Sequence, residues 1–554
     1  MQKAIAGNYE VIVIGGGPAG SSTATWLAQQ GRRVLLLEGK RFPRHHIGES
    51  LLAISIPLLK ELGVEPKLQA AGFLNKQGAL FIWGETKNIQ ELKMSYPGYA
   101  YQVVRSHFDQ LLLDQARDQG VTVLQSHWVR QLLYDDGRVC GVKVCTKHGK
   151  THELHCRFVV DASGLAKFIP RQLGLPLEQD GPKRVALSAY YRRALRPAPP
   201  YRNHILSEAV QDGWLWFIPL SEDITSVGFV SDAEILTSNP QEVLEEQIAT
   251  GTLVRKMLEP ALLERDVTIL NYTNHIVSAP LWGNGYVLVG DTAFFVDPLF
   301  STGVHSALYT ASLASAALAS VLTSQVSEEE ACTWYEWKTR KYYGRINTTI
   351  NLLYSLHPDD TPFWRRRNQE QITEERARLI VRELGPEGIS FFANAVRVGN
   401  LSLPESIARR ISEFTPQANG LVPIMTNQVV QLAPEIRFAT NWMRYQGRLV
   451  PSFTLIHTRN RVLQVEYPLH SFRARLLQVL DGQRDLAAGI EAVAQSGYVP
   501  TTKDRREAGI FLTALAKTGL LQVKSVVPRQ MLSQDGLSNE VRDYEGPVLY
   551  TESS

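Results

Sequence analysis

The sequence predicts an α/β fold in which a parallel sheet is interrupted by a β-rich insertion and followed by a mainly helical C-terminal region. Three stretches support this prediction. Residues 9–14 form a β-branched, apolar strand pattern that leads through glycines into a helical pattern. Residues 103–165 alternate helix and strand patterns, and residues 286–322 join an apolar strand to a long helix of small residues. Such alternation is typical of parallel sheets.

The composition argues against a protein that binds a polyanion, a disulfide-rich protein and a zinc protein. The 554 residues are 44% hydrophobic and 20% charged, which fits an ordinary globular protein of several domains. The 58 basic and 55 acidic residues leave a net charge of +3, so a polyanionic partner is not indicated. Four irregularly spaced cysteines suit neither a disulfide framework nor a zinc site, and we predict no metal site.

The N-terminus and one long apolar stretch indicate a cytoplasmic protein. The first residues contain no apolar core of signal-peptide length. Residues 304–322 are mostly small or apolar, but they include His305 and several serines and threonines, which favours a buried helix over a membrane span. We therefore expect no transmembrane segment and a reducing, cytoplasmic location.

The first strand–helix–strand unit contains a dinucleotide-binding motif. Gly15, Gly17 and Gly20 follow the first strand, a helix is predicted over about 21–30, and a second apolar strand ends at Glu38. The glycines permit a tight turn, and the N–H groups at the helix start attract a pyrophosphate. Glu38 can accept hydrogen bonds from ribose hydroxyls. The alternative is a glycine-rich turn that binds no ligand.

Two later motifs favour FAD over NAD. Gly290-Asp291 follows an apolar strand, where an aspartate can bind the ribityl chain of a flavin. The turn at 161–164, Asp-Ala-Ser-Gly, has small residues that allow close approach of the dinucleotide. Together these motifs resemble the Rossmann-like FAD-binding domain of the aromatic-hydroxylase-like flavoproteins. Arg105 matches the cofactor-contacting arginine of that family, and its alternative is an exposed residue at a helix start.

Three further motifs resemble those of the flavin-dependent halogenases, in their phenol- and pyrrole-modifying branch. Residues 213–219, GWLWFIP, contain the WxWxIP pattern of the family. Residues 295–303, FVDPLFSTG, match its FxxPxxSxG pattern. Lys76 follows residues 47–50, Ile-Gly-Glu-Ser, at an offset similar to that of the family's essential lysine. The resemblance covers residues 8–340 well, and the C-terminal third is less constrained.

The resemblance implies a role for each motif. In the family, the WxWxIP strand lies near the flavin and keeps substrate away from it. Backbone N–H groups at the positions of Thr302 and Gly303 hold a halide. The lysine delivers electrophilic halogen, either as an ammonium that hydrogen-bonds hypohalous acid or as an amine that forms a haloamine. The plain alternatives are a tryptophan-rich core strand, a helix N-cap at Ser301 or Thr302, and an exposed lysine.

The resemblance thus predicts a complete set of site residues, with Lys76 as the catalytic one. The cofactor-binding positions are Gly15, Gly17, Pro18, Ala19, Gly20, Glu38, Arg44, Ile47, Gly48, Glu49, Arg105, Asp161, Gly290, Asp291, Pro298 and Gly303. The halide-binding positions are Ser301, Thr302 and Gly303. The positions that line the substrate passage are Trp214, Trp216, Phe217, Ile218, Pro219 and Phe300.

The implied activity is FADH2-dependent halogenation, in which O2 and chloride or bromide give hypohalous acid and Lys76 directs the halogen to an aromatic ring. Relatives that act on free tryptophan carry a glutamate where this chain has Phe300. A phenol, a tyrosine-derived ring or a pyrrole, free or tethered to a carrier protein, is therefore the favoured substrate. The sequence has no second glycine-rich fingerprint, so a separate NAD(P)H:flavin reductase is expected to supply reduced flavin.

Domain boundaries follow from shifts in pattern and composition. We predict a discontinuous FAD-binding domain over 1–85, 100–165 and 280–340, and a β-rich substrate-side domain over 86–99 and 166–279. A helical C-terminal region over 341–450, a small winged-helix-like module over 451–525 and a polar tail over 526–554 complete the chain.

Two features of the C-terminal third concern partners. Residues 364–367, Trp-Arg-Arg-Arg, could dock an acidic carrier protein or form a solvated helix face. Residues 451–525 contain ten basic and six acidic residues, a surplus too small to indicate a nucleic-acid partner.

Two other functions stay open at this level. An FAD-dependent monooxygenase, or an oxidoreductase similar to geranylgeranyl reductase, would use the same fold without needing Lys76 or a halide. A non-catalytic flavoprotein would bind FAD and recognise a partner through residues 451–525.

Overall fold

The computed structural model describes residues 8–83, 89–93, 98–358, 360–368, 377, 380, 407, 424–425, 427–434, 436–457, 463–517 and 520–524. The chain divides into two compact units. The first comprises Met1–Ile372, Ala395–Leu403 and Gln446–Arg448, and the second comprises Thr373–Asn394, Pro404–Tyr445 and Leu449–Ser554. The predicted tail at 526–554 and most of 369–423 lie outside the described residues.

The strands are numbered in chain order. They are β1 Val11–Ile14, β2 Val34–Glu38, β3 Leu74–Lys76, β4 Gly78–Ile82, β5 Ile89–Lys93, β6 Ala100–Gln102, β7 Thr122–Gln125, β8 His127–Asp135, β9 Arg138–Thr146, β10 Thr151–His155, β11 Phe158–Asp161, β12 Leu177–Arg192, β13 Ile205–Val210, β14 Gly213–Pro219, β15 Ile224–Asp232, β16 Leu262–Leu263, β17 Thr268–Val277, β18 Trp282–Gly283, β19 Tyr286–Leu288, β20 Phe294–Phe295, β21 Val429–Leu432, β22 Ile436–Tyr445, β23 Arg448–His457, β24 Leu463–Pro468, β25 Asp481–Asp485 and β26 Leu521–Lys524.

The helices are numbered in the same way. They are α1 Pro18–Gln29, α2 Ile56–Glu61, α3 Glu65–Ala70, α4 Arg105–Asp118, α5 Phe168–Leu173, α6 Pro240–Thr250, α7 Leu253–Leu258, α8 Gly303–Leu322, α9 Glu328–Ser355, α10 Pro362–Asn368, α11 Phe472–Gln478, α12 Leu486–Gln495 and α13 Thr502–Lys517. Short 3₁₀ turns occupy Ala53–Ser55, Gly164–Ala166, Ala233–Ile235, Gly290–Thr292 and Pro298–Phe300.

The first unit contains the predicted mixed α/β arrangement around a parallel sheet. Its strand order is β18-β19-β11-β1-β2-β7, and β1 pairs in parallel with both β2 and β11. Strands β1 and β2 are buried along their whole length, which fits their uninterrupted apolar sequences. Because parallel strands end at the same edge of the sheet, the turns after β1, β11 and β19 lie side by side.

Helix α8 explains the long apolar stretch of the sequence. It is long and apolar enough to cross a membrane by length and composition, but 89% of its most apolar window is buried inside the protein. Its small residues allow close packing, as at Gly290, where an added Cβ would lie 3.7 Å from the Ala307 Cα. The helix is therefore part of the core, as the sequence predicted.

A second, larger sheet supports the substrate side. Its order is β20-β17-β12-β15-β14-β13-β4-β5, with β16 pairing alongside β12. Side chains alternate between the two faces of β14, so Trp214, Trp216 and Ile218 share one face. The ring of Trp216 lies over Gly228 of β15, where an added Cβ would come 2.1 Å from the indole.

The opposite face of β14 shows that one predicted passage residue was wrong. Phe217 is fully buried and belongs to a hydrophobic cluster with Leu215, Phe229 and the helix residues Val243 and Leu244. Its odd position in the strand places it away from the two tryptophans. Phe217 therefore packs the core and does not line a passage on the tryptophan face.

Several predicted boundaries also need correction. Strand β4 lies within 1–85 but pairs with β13 of the large sheet, so this stretch joins the substrate side. Helix α9 runs through residue 340 without a break. Strand β8 was not predicted because its polar and apolar residues alternate too irregularly, and it pairs with β9 in a separate three-stranded sheet.

The second unit contains strands that the sequence prediction assigned to a helical region. Strands β21 and β22 fall within 341–450, and β21 lies between β25 and β26 in one sheet. Residues 481–482 form the start of strand β25, with Gly482 at a φ of 73°. Helices α11, α12 and α13 share a core that includes Leu476, Leu477, Ile490, Leu512 and Leu515. The winged-helix-like character of this unit stays a prediction.

Helix α10 divides residues 364–367 between the core and the surface. The Trp364 side chain is buried, and its Nε1 donates to the Val210 carbonyl at 2.9 Å. Arg366 and Arg367 both pair with Asp232 at the end of β15. Trp364 and Arg367 therefore anchor the helix to the large sheet, while Arg365 and Arg366 stay exposed on a solvated face, and docking of an acidic carrier stays a prediction.

Replacing Phe217 by alanine should destabilise the first unit without changing the tryptophan face. The lost packing should lower the free energy of unfolding by about 3–5 kcal/mol. Thermal and urea unfolding of Phe217→Ala, with Phe217→Leu as the milder control, would measure this. An alanine variant as stable as the wild type would contradict the packing assignment.

Candidate active site

The turn after β1 forms a cradle that only glycine can build. Gly15 has a φ of 102°, and an added Cβ would lie 2.4 Å from the Ala162 carbonyl oxygen. A Cβ on Gly20 would lie 1.9 Å from the Gly15 carbonyl oxygen. Helix α1 begins at Pro18, earlier than predicted, and none of the described side chains caps it. Its first free N–H groups therefore face the space above the glycines, as a pyrophosphate site requires.

Glu38 lies beside this cradle at the end of β2. Its Oε2 accepts the Gly16 N–H at 2.7 Å, and its Oε1 accepts the Lys40 N–H at 2.7 Å. These bonds hold the buried carboxylate at the edge of the glycine turn. Each carboxylate oxygen retains a lone pair, so the geometry fits a ribose-binding acceptor.

Arg105 is a buried anchor for the loop at 44–49. It is 6% exposed, forms a two-point ion pair with Asp109, and donates to the carbonyls of Ile47 at 2.7 Å and Gly48 at 3.2 Å. The exposed helix-start alternative is therefore wrong. Gly48 has a φ of 98°, which lets the loop turn at this contact.

Arg44 brings a second guanidinium towards the cradle. Its Nη1 lies 3.4 Å from Asp109, but this buried atom makes no hydrogen bond within the described part of the chain. Its Nη2 lies 3.3 Å from the position of a Cβ on Gly17. A buried guanidinium nitrogen that has an ion contact but no hydrogen bond, beside an uncapped helix start, fits a diphosphate group.

The two aspartates of the predicted FAD motifs have different surroundings. Asp161 is fully buried and accepts the backbone N–H groups of Ser163 at 2.9 Å and Ile169 at 2.6 Å, so it shapes the turn at 161–164. Asp291 follows β19 beside the cradle, because Gly290 packs against Ala19 of helix α1. Burial raises the pKa of Asp291 to about 6, although Arg105 and Lys167 oppose the shift.

The turn at 297–303 leads into an uncapped helix start, at which Thr302 is buried and Gly303 is exposed. Ser301 adopts a left-handed conformation with a φ of 58°, and Thr302 is the N-cap of α8 without a capping hydrogen bond. The buried Thr302 Oγ1 has no partner among the described residues. No described atom lies within 4 Å of a Cβ added to Gly303, so space remains in front of the helix. This arrangement fits a dehydrated anion better than an ordinary N-cap.

A buried polar network fixes this turn to the large sheet. Asp297 pairs with Arg184 of β12 and accepts the Tyr272 hydroxyl at 3.1 Å. The Arg184 guanidinium lies 5.2 Å from the ring centre of Tyr354, and the Tyr354 hydroxyl accepts the Trp214 indole N–H at 2.6 Å. The network thereby connects the anion turn with the first tryptophan of the WxWxIP strand.

Lys76 is buried at the end of β3, in contrast to the exposed-lysine alternative. It is 1% exposed, and its Nζ donates to the Ser50 Oγ at 2.7 Å and to the Leu51 carbonyl at 3.2 Å. None of the described residues forms an ion pair with it. Burial lowers the pKa of Lys76 to about 7, so amine and ammonium forms are both populated near neutral pH.

Packing brings Lys76 and the anion turn to the same region. Leu51, whose carbonyl accepts the Lys76 ammonium, shares a hydrophobic cluster with Val304 in the first turn of α8. Phe300, from the same turn, lies 5.8 Å from Phe81 of β4, measured between ring centres. The neighbours of Lys76 and of the anion turn therefore belong to one packed region.

The two tryptophans of β14 are held in place by ring and hydrogen-bond contacts. The rings of Trp214 and Trp216 lie 6.2 Å apart, and the Trp216 indole donates to the Ser226 Oγ at 3.2 Å. Ile218 and Pro219 continue the buried strand. Pro298 opens the 3₁₀ turn that leads to Ser301.

Several residues of this region were missed from the sequence. Asp109 lies four residues after Arg105 on helix α4, and the i,i+4 ion-pair rule could have found it. Arg184, Tyr190, Tyr272 and Asp297 are brought in from distant strands and turns, and no local pattern marks them.

Comparison with known proteins agrees with the geometry. The family model described as tryptophan halogenase matches residues 10–96 and 85–389. The chain is 33% identical over 365 residues to the tryptophan 2-halogenase of Chondromyces crocatus, which covers 64% of this chain and 70% of that protein. It is 30% identical over 386 residues to the 1H-pyrrole-2-carbonyl-(peptidyl-carrier protein) chlorinase of Pseudomonas fluorescens, covering 63% and 84%.

Solved structures show the same relationship. The myxobacterial chondrochloren halogenase CndH superposes with a TM-score of 0.63 at 33% identity, covering 74% of this chain and 99% of that one. The flavin-dependent halogenase CmlS reaches a TM-score of 0.73 over 95% of this chain and 99% of its own, at 24% identity that supports the fold alone. The chain belongs to the tryptophan halogenase family, and it is an FAD-dependent halogenase.

The buried amine of Lys76 should make stability depend on pH. The folded state disfavours the charged form, and the pKa rises from about 7 to its ordinary value of 10.5 on unfolding. The unfolded chain then binds more protons between these values, so this residue makes stability increase as pH rises from about 7 to 10.5. Lys76→Met should remove that part of the slope in urea unfolding followed over this range.

Lys60→Met is the matched control for this experiment, because Lys60 is exposed. It should leave the pH slope of stability unchanged. A Lys76→Met variant with the wild-type slope would mean that the Lys76 pKa is not lowered.

Asp297→Ala should strongly destabilise the first unit, because it leaves the buried Arg184 charge without its partner. The expected loss of unfolding free energy is about 3–5 kcal/mol, and the double variant Arg184→Met/Asp297→Leu should recover part of it. Calorimetric melting of both variants would measure this. Arg192→Met, in an exposed ion pair, is the control and should melt like the wild type. An equally low melting temperature for the single and double variants would contradict the ion-pair explanation.

Proposed function

We propose that this halogenase uses reduced FAD, O2 and chloride or bromide to halogenate an electron-rich aromatic ring, with Lys76 as the residue that delivers the halogen. The observation that supports the proposal is the buried Lys76 amine, held by the Ser50 hydroxyl and the Leu51 carbonyl, in the same unit as the uncapped start of helix α8. A flavoenzyme that hydroxylates or reduces its substrate has no use for such a pair.

The residues of the cradle fit the cofactor. The α1 N-terminus, Gly15, Gly17 and Arg44 would hold the diphosphate, Glu38 the adenosine ribose, and Asp291 the ribityl side. Arg105 and the Ile47–Gly48–Glu49 loop would close over it, while Asp161 shapes the neighbouring turn. When bound, reduced flavin would supply two electrons to O2, and the halide would supply two more as it is oxidised to hypohalous acid.

The halide would bind at the start of α8. The N–H groups of Thr302 and Gly303 and the free Thr302 hydroxyl can replace the water that the anion loses on entry. The Asp297–Arg184 pair fixes the turn, so these donors keep their positions when the anion arrives. Preorganised donors of this kind suit an anion that must be held dry.

Lys76 would then transfer the halogen in two balanced steps. The neutral amine attacks the halogen of hypohalous acid, an N–halogen bond forms, and water leaves. The aromatic carbon attacks that halogen, the N–halogen electron pair returns to nitrogen, and the ring proton restores the amine. The lowered pKa of Lys76, about 7, supports this amine route over an ammonium that only hydrogen-bonds the acid.

An activated ring is the substrate class that fits this site. Phe300 stands where a carboxylate would help an unactivated indole position lose its proton, and it packs against Phe81. A phenol or pyrrole stabilises the ring cation with its own heteroatom and needs no such carboxylate. The similarity to a chlorinase acting on a carrier-bound pyrrole supports testing carrier-tethered rings, with a separate NAD(P)H:flavin reductase as the electron source.

The purified protein with FAD, a flavin reductase, NADH, O2 and bromide should convert phenolic or pyrrole substrates, free or carrier-bound, to brominated products. Lys76→Ala should lower product formation by at least about 100-fold, because the halogen then has no carrier. Its FAD affinity should be unchanged, which flavin fluorescence would check. Product mass spectrometry with bromide and chloride would also show the preferred halide.

The rate should increase with pH through about 7, since the free amine is the reactive form of Lys76. Lys60→Met is again the control and should match the wild type. Hydroxylated or reduced product would reject the proposal in favour of a monooxygenase or reductase, and full bromination by Lys76→Ala would reject Lys76 as the residue that delivers the halogen.

A further inference from the structure

Three side chains form a continuous hydrogen-bonded chain from the surface to the buried loop beside Lys76. His45 is exposed, and its Nε2 lies 2.9 Å from the Tyr190 hydroxyl oxygen. The Tyr190 hydroxyl donates to the Glu49 Oε1 at 2.5 Å. Glu49 is only 2% exposed and directly precedes Ser50, which accepts the Lys76 ammonium. The chain therefore joins solvent to the interior of the site.

The inner end of this chain continues to the tryptophan face. The Glu49 carboxyl also hydrogen-bonds Ser226, whose hydroxyl accepts the Trp216 indole N–H at 3.2 Å. Burial raises the pKa of Glu49, and the hydrogen bonds from Tyr190 and Ser226 and the charge of Arg105 oppose that rise. Glu49 is thus a buried carboxyl placed between the surface chain and the proposed reaction space.

The charged surroundings also suit a group that accepts and releases protons. Burial and the nearby Arg265 lower the pKa of His45. The Arg265 guanidinium lies 5.9 Å from the ring centre of Tyr190, and Arg105 faces both Tyr190 and Glu49. The Arg265 charge opposes a lasting positive charge on His45, so a proton taken up there is readily passed on.

The hydrogen bonds that join His45, Tyr190 and Glu49 can point in either direction. With His45 protonated, its Nε2–H donates to the Tyr190 oxygen and the Tyr190 hydroxyl donates to the Glu49 carboxylate. One shift moves the Tyr190 proton to Glu49 and the Nε2 proton to Tyr190. The result is a neutral His45 that accepts from Tyr190, and a Glu49 carboxylic acid that donates to Tyr190. One proton has crossed from the surface to the interior, and no atom has moved far.

The proposed reaction needs such a proton. An aromatic C–H, a halide anion, O2, reduced flavin and one proton balance to aryl halide, oxidised flavin and two water molecules. Each halide that enters is therefore accompanied by one proton per turnover. A site that keeps hypohalous acid away from bulk water also keeps bulk water from supplying that proton directly.

We infer that His45, Tyr190 and Glu49 form a proton relay that delivers this proton from solvent to the closed site. The inference rests on the proposed function and adds to it a route for the proton. His45 and Tyr190 are relay residues, since they act through Glu49 and do not touch the halogen.

The test combines removal of the outer histidine with chemical rescue. His45→Ala should lower kcat for bromination on the order of tenfold, while the KM values for bromide and the aromatic substrate stay unchanged. Imidazole added to the assay should restore most of the lost rate, because it can occupy the exposed gap and donate to Tyr190. Pyrazole, a ring of the same size but far weaker basicity, should not.

Tyr190→Phe should lower kcat in the same way and should abolish the rescue of the double variant by imidazole, since the middle link is lost. His155→Ala is the control, because His155 is an exposed histidine in the separate three-stranded sheet, and it should keep the wild-type rate. A wild-type kcat for His45→Ala, or equal rescue by pyrazole, would overturn the relay.

A second measurement does not require turnover. In the resting protein, the NMR titration of the His45 ring, assigned by its loss in His45→Ala, should shift in Tyr190→Phe and stay unchanged in Tyr134→Phe, an exposed tyrosine of β8. An unshifted His45 titration would show that the chain does not exist in solution. If the titration shifts but the wild-type enzyme halogenates no aromatic ring, the proposed function fails and the relay loses its purpose, so the two failures can be told apart.

Discussion

The burial of one amine without an opposite charge is the constraint on which the site depends. Transfer of an ammonium into a poorly solvated interior costs free energy, and only the Ser50 hydroxyl and the Leu51 carbonyl compensate Lys76 within the described residues. A core that tolerates this cost must be stable by other means. The continuous apolar strands β1 and β2, the small-residue packing of α8 and the two-faced sheet around β14 supply that stability.

The need to keep polar groups in place where water is scarce also explains why the anion turn is joined to the large sheet by a polar network as well as by apolar packing. The anion turn must be rigid enough to hold open N–H groups in the interior, where a flexible turn would fold back and cap itself. Arg184 pairs with Asp297 and so fixes the turn, the Tyr272 hydroxyl donates to Asp297, and the ring of Tyr354 packs beside Arg184. Buried polar groups of this kind narrow the range of conformations rather than add stability.

The sequence predicted the parts of the fold that local rules determine. The βαβ unit, the glycine cradle, the turns after β11 and β19 and the inward-facing role of helix α8 follow from runs of residues that are contiguous in the chain. Strand β8, the pairing of β4 with the large sheet and the core position of Phe217 depend on which strands meet, and no local pattern records that. The cofactor contact of Arg105 stays a prediction, and its ion pair with Asp109 needed only helical spacing and was overlooked. Tyr190 and Asp297 were beyond reach, because their partners lie more than a hundred residues away.

The contact between Trp216 and Gly228 has an evolutionary consequence. The indole occupies the space that any side chain at position 228 would need, so position 228 cannot change freely while Trp216 is kept. A smaller residue at 216 would leave an empty groove across two strands, but a side chain at 228 could not fill it, because its Cβ would also lie 2.3 Å from the Leu187 carbonyl oxygen. In relatives that accept larger or smaller rings, position 228 should therefore stay glycine while the volume at position 216 changes.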